Sequence, residues 1–103
     1  MSSLAEIYFN YNKAIGQASQ LEAQAKKLRR ISGTDLQNVL QDIHSAWQSE
    51  SSQAYLTKGR KVQGDVLTTS ENLKKIAGTI RTVAQIIRDA ELEAWRIAHE
   101  RKN

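Results

Sequence analysis

The sequence contains no cysteine and no proline. Without cysteine there is no disulfide framework and no thiolate metal site. That fits equally a protein kept in the cytosol and one that leaves the cell without relying on disulfides. Without proline, nothing of that kind forces a helix to stop or kink. Aromatic residues are scarce, at 6% of 103 positions, and hydrophobic residues reach only 40%, so a large globular core is not expected. No run of about 18 apolar residues is present, so no membrane-spanning helix is expected. The first ten residues lack the basic-then-apolar order of a Sec signal peptide. The five glycines are scattered and no Pro/Ser/Gly-rich linker divides the chain, so residues 1–103 read as a single domain. The excess of 15 Lys+Arg over 11 Asp+Glu, giving +4 and a pI near 9.6, is modestly basic and specifies no partner.

What the chain does have is apolar residues at steps of three and four. In the first half Leu4, Tyr8, Tyr11, Ile15, Ala18, Leu21, Ala25 and Leu28 share one stripe, widened by Ile7 and Ala14. In the second half Val62, Val66, Thr69, Leu73, Ile76, Ile80, Val83, Ile87, Ala90 and Ala94 do the same. This spacing puts side chains on one face of a helix, and the alternation of a strand is absent. Two places interrupt it. At Ser32-Gly33-Thr34-Asp35 the glycine weakens a helix, and Thr34 followed by Gln37 resembles a capping box. Leu36, Val39, Leu40, Ile43 and Trp47 then resume in a shifted phase, which predicts a kink or short irregular turn. At Trp47-Gln48-Ser49-Glu50-Ser51-Ser52 the serines supply hydroxyls for a new helix N-terminus, beside which Glu50 is well placed. The expected fold is all-α: an antiparallel two-helix hairpin, with helices near 3–46 and 51–100 and a central Trp-x-Ser turn.

With the turn near residue 49, Leu28 is expected near residues 66–70 and Leu4 near residues 91–93. Asp35 should then approach Arg60 or Lys61, and Glu22 should approach Lys74 or Lys75. Two helices side by side bury a single seam, here rich in alanine. A half-exposed aliphatic side chain returns only part of the roughly 1.5–3 kcal/mol of full burial, against about 1–2 kcal/mol per residue of backbone ordering. A lone hairpin is therefore marginal, and a second hairpin across the same stripe, completing a four-helix bundle, is expected.

A chain of about one hundred residues, patterned as a helical hairpin with Trp47-Gln48-Ser49 at its middle, resembles the WXG (ESAT-like) family of small type VII secretion proteins. Serine stands where that family has glycine, and Ser52-Gln53-Ala54-Tyr55 resembles the small residues and aromatic that follow its turn. The family's C-terminal Tyr-x-x-x-Asp/Glu signal corresponds to Ile87-Arg88-Asp89-Ala90-Glu91, which keeps the acid and has isoleucine for tyrosine. The resemblance suggests a divergent branch, such as the small helical partners of LXG toxins. It implies export from the bacterial cytoplasm to the cell surface or medium. The implied partners are a second copy, a paralogue or the helical N-terminal region of an LXG-type effector, with delivery to the type VII membrane ATPase.

Several residues carry a functional and a plain reading side by side. Trp47, with Ser49 beside it, either contacts a partner or plugs the end of the helix–helix seam. Ile87 and Glu91 are either a remnant of the export signal or an ordinary apolar and solvated pair. Tyr8, Tyr11, Ile15, Leu73, Ile76, Ile80 and Val83 are the expected partner-binding side chains. Trp95 docks on a partner or lies across its own bundle. The basic runs Lys26-Lys27, Arg29-Arg30 and Lys58, Arg60, Lys61 are interspersed with acids and lack stacking aromatics, so a contact with an acidic protein surface is favoured over nucleic acid. His44 and His99 lie far apart without neighbours at metal-binding spacing. No nucleophile–base pair, carboxylate dyad or phosphate-cradling glycine loop stands out, so no enzyme and no cofactor are expected. A cytosolic coiled-coil adaptor unrelated to secretion is the alternative reading.

Overall fold

A computed structural model describes residues 2–101, and every element among them is helical. Helix α1 runs Leu4–Arg30, a π-helical turn covers Ile31–Leu36, α2 takes Gln37–Ala46 and α3 takes Glu50–Arg101. Local chemistry sets the two free N-termini. Ser3 Oγ accepts the Glu6 amide proton at 3.1 Å, with Glu6 in the first turn of α1. Ahead of α3, Ser49 and Ser52 cap each other. The Ser52 amide donates to Ser49 Oγ at 3.2 Å, and the Ser49 amide donates to Ser52 Oγ at 2.9 Å. This is a reciprocal capping box with serine where glutamate is usual. Residues 47–49 are the non-helical link between α2 and α3.

The interruption at Ile31–Leu36 is a change of helix type without a break. No side-chain hydrogen bond caps either junction, so the Thr34/Gln37 pair does not form the expected capping box. A π-turn inserts one residue. The inward row Ala25, Leu28, Ser32 therefore continues as Leu36, Leu40 and Ile43, while Asp35 and Val39 face out. That extra residue accounts for the phase shift visible in the sequence. The opposite helix also holds the turn: Gln63 Nε2 donates to the Ser32 carbonyl at 2.7 Å and to Gln37 Oε1 at 3.1 Å, and Ser32 Oγ donates to the Gln63 carbonyl at 2.9 Å.

Contacts divide the chain into two compact units, Glu22–Lys74 and Met1–Leu21 with Lys75–Asn103. Within Glu22–Lys74 the strands of helix run antiparallel, with Ser70 Oγ donating to the Ala25 carbonyl at 2.7 Å and Leu40 seated on Gly59. Leu28 shares a small cleft with Val62, Asp65, Val66 and Thr69, close to its expected register. Glu22 and Lys74 line a common cleft. Asp35 has no ion-pair partner among the described residues, contrary to expectation. Within the other unit, Arg81 Nη2 donates to Ser19 Oγ at 2.9 Å and the Arg88 guanidinium sits 4.4 Å from the Tyr11 ring centroid. Seven of the ten buried residues across the described chain are alanine or serine: Ala18, Ala25, Ser32, Ser52, Ser70, Ala77 and Ala84. Small side chains let helix backbones approach closely, which brings serine hydroxyls within reach of carbonyls on the facing helix.

Glycine serves that approach at one position. A Cβ on Gly59 would collide with Leu40 Cδ2, whereas Gly78 has open space around it. Gly59→Ala must displace the end of the Leu40 side chain, a cost that offsets the gain in helix propensity, so stability is expected to change by less than about 1 kcal/mol. Gly78→Ala should raise it by roughly 0.5–1 kcal/mol through helix propensity. Urea unfolding followed by helical circular dichroism reads both, and equal shifts for the two would contradict the Leu40 contact.

Candidate interaction surface

The apolar stripe of α3 and the row that α3 buries are different rows. The buried or half-buried positions Leu56, Gln63, Ser70, Ala77, Ala84 and Glu91 recur every seven residues. The sequence stripe consists of two other rows. Val66, Leu73 and Ile80 are half-buried beside the seam, and their row continues as Ile87 and Ala94, both exposed. Val62, Thr69, Ile76, Val83 and Ala90 stand outside it, all exposed, and Ile97, which the stripe did not include, extends their line. Helical spacing of about 100° per residue rotates the centre of the stripe by roughly 80° from the seam. Three of the ten stripe residues therefore pack partly inside the hairpin, and seven are left in water.

The exposed part is most concentrated in the unit containing Lys75–Asn103. There Ile76 is 50% exposed, Val83 46% and Ile87 51%, with Ile86 at 62% beside them. Isolated exposed aliphatics are ordinary, whereas a row of them along one helix is a candidate interaction surface. On α1 of the same unit Ile7 and Ala18 are buried, Tyr11, Ala14 and Ile15 are half-buried, and Leu4, Tyr8 and Phe9 are exposed. Tyr8 is thus available to a partner, whereas Tyr11 already has one in Arg88. Arg88 also pairs with Asp89 at 3.1 Å.

The two residues matched to the export signal point differently. Ile87 is exposed. Glu91 is half-buried in the seam row, and its Oε2 is covered without a hydrogen-bond partner. It lines clefts with Ile7, Tyr11 and Arg88 on one side and with Ser2 and Ala94 on the other. Trp95 is half-buried and stacks on His99 of the next turn, ring centroids 3.9 Å apart, with His99 Nδ1 2.9 Å from the Trp95 carbonyl. Beside them Arg96 bridges Glu93 and Glu100, and its hydrogen bond holds the Glu93 carboxyl below the usual carboxylate range. Exposed pairs of this kind contribute little to stability.

Trp47 does not plug the seam. It is 56% exposed, in extended backbone, with its amide donating to the Ile43 carbonyl at 2.9 Å. The buried positions nearest the link in sequence, on the two helices flanking it, are Leu56, Ser52 and Leu40, of which the apolar stripes named only Leu40. Leu56 could have been found from the sevenfold row it begins. No non-glycine residue among those described has positive φ, so Ser49 sits in ordinary backbone and needs no glycine. Among the described residues no helix is long and apolar enough to cross a membrane. Comparison of the chain with protein-family models, with curated proteins and with solved structures finds no match to any of them.

Proposed function

We propose that this protein is a small helical component of a type VII secretion system, either a substrate or the targeting partner of a larger effector. It acts by pairing with a second helical hairpin into a four-helix bundle. The observation that carries the reading is the uncovered row Ile76, Val83 and Ile97 on α3, with Ile87 beside it. A protein working alone has no reason to hold such a row rigid in water, where burial would stabilise it by about 25 cal/mol per Å². The link between α2 and α3 supports the family part of the reading. Trp47 is presented outward, and Ser49 occupies the glycine's place without strained backbone.

On this reading the partner is a second copy, a paralogue or the N-terminal helices of an LXG-type effector, and the folded pair is delivered to the membrane ATPase. A cytosolic coiled-coil adaptor is the competing reading, favoured by the isoleucine at position 87 and by the half-buried Glu91. An epitope-tagged chain expressed in its own bacterium, with and without the type VII ATPase, separates them. Secretion predicts tagged protein in the medium or cell wall only when the ATPase is present. Equal retention inside the cell in both strains, with the partner complex intact, would establish the adaptor.

A further inference from the structure

A second surface lies within the Glu22–Lys74 unit and owes nothing to the aliphatic row. Arg29 and Arg60 line one open cleft of about 490 Å³ together with Ser32, Gly33, Gln63 and Gly64, and Leu67 completes its edge. Neither arginine has an ion-pair or hydrogen-bond partner among the described residues. The two glycines have no internal explanation. Neither has positive φ, and a Cβ on either would meet nothing within 4 Å. A helical glycine costs about 1 kcal/mol relative to alanine; Gly16 and Gly78 are as open, and what sets Gly33 and Gly64 apart is that both border one cleft with Arg29 and Arg60. Bare backbone at both leaves room for another backbone to come close. π-turns recur at functional sites, and here one supplies Ser32 and Gly33 to the cleft.

From this arrangement we infer that the Arg29–Arg60 cleft is a docking site for an acidic helical segment of a partner protein, whose carboxylates the two guanidiniums bind. A guanidinium fork matches a carboxylate with two parallel hydrogen bonds. Leu67, 37% exposed, gives the segment an apolar contact. A polyphosphate backbone fits poorly. Arg29 also faces the neighbouring cleft, where Glu22 and Glu71 stand among Lys26 and Lys74. No aromatic side chain lines either cleft for bases to stack on. This site stands apart from the secretion reading and survives if that reading fails.

The test is a titration of the full, isotope-labelled chain with a helical peptide carrying glutamates four residues apart, followed by amide resonances at moderate salt. Saturable shifts centred on Ser32, Gly33, Gln63 and Gly64 are expected. Arg29→Gln/Arg60→Gln should weaken binding about tenfold or more, the scale of lost charge-assisted hydrogen bonds. Lys13→Gln/Lys75→Gln removes the same charge from the other unit and should leave binding unchanged. Gly33→Gln/Gly64→Gln fills the cleft without altering charge. It should weaken binding while helicity is kept or raised, a combination that a purely structural glycine would not produce. Shifts spread over all basic residues, equal losses in the two charge variants, or displacement of the peptide by a DNA duplex of equal charge would each overturn the assignment.

Discussion

On the proposed pairing, replacing Ile76 and Val83 together by glutamate is expected to leave a separate hairpin. Both side chains are about half exposed within the single chain, so in that state the new carboxylates stand in water. Glutamate is also a better helix former than isoleucine or valine, and local helicity should not fall. In the associated state the same positions lose aliphatic burial and place unpaired charges in an apolar contact. Taking about 2 kcal/mol per site for these effects together, the double variant weakens association roughly a thousandfold. Thr82→Glu, on an exposed position outside the apolar rows, adds a carboxylate to α3 and should leave association intact. Molar mass by light scattering across a range of concentrations reads the outcome. It applies to the chain alone and after co-expression with its neighbours' products. A wild-type chain that remains a cooperatively folded monomer at high concentration, with no companion that changes it, would sink the pairing.

The second large effect concerns the opposite kind of residue. Leu56 is 1% exposed and is the largest fully buried side chain. Leu56→Ala is expected to cost about 2–5 kcal/mol, combining lost transfer energy with the cavity left behind. Total stabilities of small domains are only about 5–15 kcal/mol. Within Glu22–Lys74 the other buried residues are Ala25, Ser32, Leu40, Ser52 and Ser70, so little bulk is left to compensate. Hydrogen exchange should show protection lost in that unit well before the unit holding the termini. Trp47→Ala is the informative contrast. The tryptophan is larger but mostly exposed, and its removal should cost less than about 1 kcal/mol, as surface substitutions do. If the two variants destabilise equally, the packing described around the link is wrong.

Glu91 links these two classes of residue. A match to the family signal suggests a side chain displayed for recognition, yet its carboxylate turns partly into the seam row. Nothing in a motif of one acid and one spacer of three separates a displayed acid from an inward one, because row membership depends on the facing helix. Trp95 repeats the lesson. Its place near the end of α3 left docking on a partner and lying across its own bundle open, and its ring partner is His99 one turn away on the same helix.

By itself the sequence determined that this protein is helical, because three-and-four spacing without proline permits little else, and it marked residues 32–35 and the serines near residue 50 as the places where α-helix is interrupted. Only the tertiary structure decided which row of α3 closes against its neighbour. Hydrophobicity ranks isoleucine and valine above alanine and serine, so the pattern directs attention to Ile76, Val83 and Ile87. Close approach of two helices favours the reverse order, since Ala77, Ala84 and Ser70 occupy little space between backbones. The π-turn was likewise hidden. Its one-residue insertion follows from hydrogen bonds that Gln63 makes across the hairpin to Ser32 and Gln37, contacts that exist only once the two segments meet.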